Sequence, residues 1–111
     1  MPPILPTRAA GNLTASNGMV RVAYFAQDSR GGEIYIGVAR YKELDKHLHR
    51  LQQGNPTELK LLGVIQARNA AALVRELHRT FSDARVRGAW FKPVPDLSSY
   101  IHSRAVTTRR S

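Results

Sequence analysis

The chain contains no cysteine. A disulfide framework and any thiolate metal site are therefore excluded. It also lacks an apolar run near the ~20 residues that cross a bilayer, so no membrane partner is expected. The opening residues, Met-Pro-Pro-Ile-Leu-Pro-Thr-Arg, have neither the basic start nor the long apolar centre of a signal peptide. With the missing cysteines, that leads to the expectation of a cytoplasmic setting. No internal repeat is present.

Acidic residues are scarce. Eight Asp and Glu face seventeen Lys and Arg, a net charge of +9. The excess is not confined to the ends, because residues 19–101 hold thirteen basic and eight acidic side chains. Arginine outnumbers lysine thirteen to four, and arginine makes bidentate contacts to phosphate. An anionic partner, most simply nucleic acid, is the natural reading. The plainer reading is a basic protein with a basic tail.

What remains is one domain's worth of chain, since 111 residues leave little room for a second. Residues 1–18 carry three prolines and no apolar period, which reads as a disordered arm. Two β-rich runs, about Met19 to Gln27 and about Glu33 to Val38, flank the turn cluster holding Gly31-Gly32, a hairpin signature. Tyr41, Leu44, Leu48 and Leu51 then recur at helical spacing up to Gly54-Asn55-Pro56, a glycine-then-proline stop. Glu58 to Gln66 reads as a third strand. Asn69 caps a helix to about Ser82 whose stripe is Ala70, Leu73, Val74, Leu77 and Phe81. Arg85 to Pro93 is a basic turn with one short strand at most, and Pro95 to about His102 is a last helix. Residues 103–111 read as a basic tail. The predicted fold is α+β: a small, largely antiparallel three-stranded sheet, made of the N-terminal hairpin and a third strand, flanked by about three helices. The domain spans 19–102.

These segments resemble the GIY-YIG nuclease superfamily. Tyr24-Phe25 and Ile34-Tyr35-Ile36-Gly37 are similar to its two hallmark motifs. Leu51-Gln-Gln-Gly-Asn-Pro56 with Leu59-Lys-Leu-Leu62, then Leu77-His78-Arg79-Thr80-Phe81, then Arg87-Gly88-Ala89-Trp90-Phe91, resemble signatures of a small bacterial and phage branch. The resemblance covers about residues 20–101. It implies a DNA endonuclease that uses one divalent metal, two tyrosines, an arginine on the first helix and a glutamate on the second. In such a site the glutamate holds a hard cation, the metal polarises phosphate, and the arginine stabilises the anionic transition state. A tyrosine can take a proton if a metal or nearby cation lowers its pKa.

The tyrosines carry over as Tyr24 and Tyr35. Matching on Leu51 to Pro56 puts His47 at the arginine position, beside Lys46, with Arg40 or Arg50 as substitutes. The glutamate position, four before His78, holds Val74. Glu76 lies ~200° round the helix from it. The resemblance therefore implies catalytic positions at Tyr24, Tyr35, His47 and His78, with no metal ligand. Ordinary nuclease activity is expected to be weak or absent, and no cofactor is expected unless the protein cleaves, when Mg or Mn would be needed. The spacing of His47 and His49 puts them on different helix faces, which argues against a zinc pair. His78 reads as a core hydrogen-bonding residue or a phosphate contact. Trp90 and Phe91 read as core anchors or as a stacking platform for an unpaired base. Arg40, Lys46, Arg50, Arg79, Arg85, Arg87 and Lys92 are candidate phosphate contacts.

Three functions follow as expectations. The first is a nucleic-acid-binding protein, DNA before RNA, with a degraded nuclease site. The second is an active metal-dependent DNA endonuclease. The third is a basic interaction module that meets RNA or an acidic protein through its surface and termini.

Overall fold

The computed structural model describes residues 20–106. The expected arm at 1–18 lies outside the described residues, as does the end of the expected tail, 107–111. Strands β1 (Arg21–Asp28) and β2 (Ile34–Arg40) are followed by helix α1 (Leu44–Gln53), strand β3 (Leu59–Gln66) and helix α2 (Ala70–Thr80). Strands β4 (Arg85–Arg87) and β5 (Trp90–Phe91) follow, then α3 (Pro95–Arg104). The class is α+β. The sheet has five strands rather than three, in the order β3-β1-β2-β5-β4, and every pairing is antiparallel.

The extra strands come from the segment read as a basic turn. Gly88 takes φ +50° and closes a hairpin so tight that β5 has only two residues. Arg85 Nε donates to the Gly88 carbonyl at 2.7 Å, which braces it. Strands this short show no usable period in sequence; they form here because β2 offers an edge. Tyr35 pairs with Trp90 and Ile34 with Phe91.

Strand β1 lies between β3 and β2, and Val22 to Ala26 are all buried. Successive residues point to opposite faces, so the sheet carries two cores. On one face Ala23, Phe25, Ile34, Ile36, Ile65 and Phe91 pack with Val74 and Leu77 of α2 and with Leu97 and Ile101 of α3. On the other, Val22, Tyr24, Ala39 and Val64 pack with Leu44 of α1, joined by Tyr35, Tyr41, Leu48, Leu51 and Leu61. A register shift opposite Phe25 and Ala26 lets both Leu61 and Val64 of β3 face α1.

Local chemistry sets the element ends. Gly31 (φ +81°) turns the first hairpin, its N–H donating to the Asp28 carbonyl at 2.8 Å. Tyr41 sits in a 3-10 turn, Tyr41–Glu43, so α1 begins at Leu44. At the end of α1, Gly54 has φ −95° and uses no left-handed conformation. Side chains close that end instead. Asn55 Nδ2 donates to the Leu51 carbonyl at 3.0 Å, and Gln52 Oε1 accepts from Leu59 N at 2.8 Å. The Asn69 cap is present, with its Oδ1 accepting from Ala72 N at 3.0 Å. The expected tail starts too early: α3 runs to Arg104, and Val106 bonds Val64 in both directions. A Cβ at Gly63 would come within 2.9 Å of Ala105 Cβ, so the glycine admits this crossing segment.

Candidate functional site

Tyr24 and Tyr35 meet because their strands pair and Gly37 leaves room. Tyr24 lies directly opposite Gly37 in the β1–β2 ladder. The two tyrosine rings are 5.8 Å apart and tilted by 30°. Helix α1 lies over this face and brings His47 Nδ1 to 3.5 Å from the Tyr24 hydroxyl. His47 meets the Tyr24 ring edge-on at 6.0 Å. Arg50 stands one turn further along α1, on the same side, and its charge acts on the Tyr24 hydroxyl.

The balance of forces on that hydroxyl is clear. Burial raises the pKa of Tyr24 well above the ordinary tyrosine value, and the neighbouring Tyr35 raises it further; Arg50 opposes both without overcoming them. Tyr24 therefore stays protonated and acts as a hydrogen-bond donor.

The groups around this centre are two phenols, an imidazole and a guanidinium. Glu43 shares a cleft with His47, and Arg40 Nη1 lies 3.8 Å from its Oε2. No group of three or more His, Asp or Glu side chains converges among the described residues. A carboxylate already facing an arginine is a poor seat for magnesium or manganese, which favour several oxygen ligands. The centre instead suits an oxyanion, with donors and cations but little negative charge.

Val74 packs in the core on the α2 side of the sheet, while Tyr24 and Tyr35 belong to the α1 side. A carboxylate at that position would enter the core and not the tyrosine pair. Glu76 is exposed and paired with Arg79. His78 does not join the tyrosines. Its Nε2–H donates to the Ile36 carbonyl at 3.0 Å and its ring lies on Phe91 at 5.0 Å. Of its two readings, the structural one describes what it does.

The cationic candidates are dispersed. Arg40, Lys46 and Arg50 surround α1. Arg79 projects from α2 in the opposite layer, and Arg85 and Arg87 are exposed on the edge strand β4 with exposed Lys92 beyond β5. Arg21 was missed altogether. It lies directly opposite Arg40 in the β1–β2 ladder, and both line a cleft of about 310 Å³ with His47. Like charges so placed repel, but sequence spacing gave no sign that residues 21 and 40 would meet.

Trp90 and Phe91 divide between the two faces. Phe91 is fully buried in the α2-side core. Trp90 is half-buried on the tyrosine face, 5.1 Å from Tyr35 in an edge arrangement, with the Arg87 guanidinium 6.0 Å over its ring. An aromatic row, Tyr24–Tyr35–Trp90, thus runs across the sheet and ends at a cation. No helix among the described residues is long and apolar enough to cross a membrane. Compared with known proteins, the chain matches no family model, no curated protein and no solved structure.

Proposed function

We propose that this chain binds nucleic acid, DNA in the first instance, through phosphate contacts around Tyr24, Tyr35, His47 and Arg50, on a GIY-YIG-like fold whose nuclease centre is degraded. One observation carries the reading. Around the buried, protonated Tyr24 hydroxyl stand the accessible Tyr35 phenol, His47 imidazole and Arg50 guanidinium, a set suited to a phosphate oxygen rather than to a metal. The net charge of +9 supports the same partner class. Because the donor set does not fit a divalent cation, no cleavage step is assigned to it.

The test has two arms. Labelled duplex DNA is titrated with the protein at rising salt, and plasmid is incubated with the protein and magnesium or manganese. Binding that weakens steeply with salt is expected from counterion release, and Arg50→Gln should lower the slope by about one. No metal-dependent cutting is expected. Cutting that disappears in Tyr35→Phe would sink the degraded-site reading in favour of an active endonuclease. Absence of binding to DNA would turn the assignment to RNA or to an acidic protein partner.

A further inference from the structure

Three segments distant in sequence build a cleft at the far end of the aromatic row. The β1–β2 turn contributes Asp28, Gly32 and Glu33. The loop after α1 contributes Asn55, Pro56 and Thr57. The last hairpin contributes Arg87 and Trp90. The cleft has a volume of about 300 Å³, enough for a nucleobase and part of its sugar.

Its walls differ in chemistry. Trp90 presents an aromatic surface, with Tyr35 against it edge-on and the exposed Arg87 guanidinium over its ring, a side chain that a stacking base would displace. The rest of the lining is rich in acceptors, from Asp28, Glu33 and Asn55. Asp28 uses Oδ1 to receive Arg30 N at 2.8 Å, which holds the carboxylate in place. Glu33 Oε1 receives Arg87 Nη1 at 3.2 Å. Asn55 spends its amide N–H on the Leu51 carbonyl, and its Oδ1 receives no protein donor among the described residues. Arg30 stands at the same turn, its Nη2 donating to Thr57 Oγ1 at 2.9 Å.

We infer that this cleft seats one unpaired nucleobase, stacked on Trp90, and that its acceptor wall selects a base rich in N–H donors, guanine above all. Aromatic surfaces stack any base, so selection must come from the edge. Guanine offers N1–H and the N2 amino group side by side on its Watson–Crick edge, and unstacked bases are read along that edge. Two carboxylates and an amide oxygen can accept from all of these. Adenine and cytosine offer one amino group, and uracil a single N3–H. Arg30 and Arg87 flank the cleft as partners for the adjoining phosphates. The inference deepens the nucleic-acid reading and rests on it: it names an unpaired guanosine, single-stranded or bulged, as the preferred element.

Trp90 is the chain's only tryptophan and lines this cleft, so its fluorescence responds to binding there. The full chain is titrated with the 5′-monophosphates of guanosine, adenosine, cytidine and uridine. Saturable quenching is expected, with guanosine monophosphate half-saturating at a concentration about tenfold or more below that of uridine monophosphate. Asp28→Asn keeps the oxygen that holds the turn but removes the charge, and it should reduce that ratio to about threefold or less. Equal quenching by all four, no quenching, or a ratio unchanged in Asp28→Asn would overturn the inference. A second pair of titrations uses labelled blunt duplex and the same duplex with one bulged guanosine. Tighter binding of the bulged form supports both the cleft and the nucleic-acid reading. Equal binding of the two duplexes without nucleotide quenching defeats the cleft and leaves that reading standing. Quenching by guanosine monophosphate with neither duplex bound upholds the cleft as a nucleotide site and defeats the nucleic-acid reading.

Discussion

Gly37 faces Tyr24 across the β1–β2 ladder, and a Cβ there would lie 3.1 Å from Tyr24 Cζ and 2.6 Å from Tyr35 Cε2. The tyrosine pair exists because this position has no side chain. Gly37→Ala is expected to cost about 1–3 kcal/mol, the usual penalty for overpacking, and to push the Tyr35 ring away from Tyr24. Urea denaturation measures the first. Loss of nuclear Overhauser contacts between the two rings measures the second, and a variant as stable as the parent with those contacts intact would refute the account.

Tyr24 ionises later in the folded protein than in the unfolded chain. Its pKa is raised above 10.0, chiefly by burial. The unfolded state therefore loses this proton first as pH rises, so the native state binds more protons and stability falls above about pH 10. Below that pH the contribution is fully present. Phenolate absorbance of the folded protein is expected to show a tyrosine that resists ionisation, and Tyr24→Phe should remove that component. The denaturation midpoint of Tyr24→Phe should also fall less between pH 9 and pH 11 than that of the parent.

Arg21→Gln separates stability from binding. It removes a like-charge pair directly opposite Arg40, so stability should rise by about 0.2–1 kcal/mol at low salt, with the gain shrinking as salt screens the pair. Affinity for labelled duplex should fall at the same time, because Arg21, Arg40 and His47 line one cleft. A variant that is less stable at low salt, or that binds duplex as the parent does, would count against the arrangement.

His78→Leu tests whether that histidine holds the fold or touches the ligand. The change strands the Ile36 carbonyl that His78 now satisfies, at a cost of about 1–3 kcal/mol. Duplex affinity should stay within about twofold of the parent, since the ring lies in the layer away from the tyrosines. An affinity loss without a stability loss would return His78 to the site.

Val74→Glu is expected to destabilise by about 3 kcal/mol or more, because an unpaired carboxylate would enter the core formed with Ala23, Phe25 and Leu77. It should not create metal-dependent cutting. Plasmid nicking by this variant in manganese would show that residue 74 reaches the tyrosine pair.

Much of this fold was legible from residue patterns. The stripes Leu44–Leu48–Leu51 and Leu73–Val74–Leu77–Phe81 do cover the sheet, because burying an apolar stripe dominates the position of a helix whatever its partner. Strands β4 and β5 were not legible as a hairpin on the sheet. Two and three residues carry no period, and their pairing depends on an edge that β2 supplies from 55 to 57 positions upstream.

The site divides in the same way. The sequence by itself determined that two tyrosines stand on paired strands, that the charge favours an anionic partner, and that valine occupies residue 74. Only the tertiary structure decided what these residues mean together. It buried Tyr24 and so kept its proton, set Arg50 against it, placed Val74 and His78 in the other layer, and split Trp90 from Phe91. Each of these is fixed by which face of the sheet a side chain takes and by what packs there. A pKa, an ion pair or a cleft depends on distances between residues far apart in the chain, and no local pattern contains those distances.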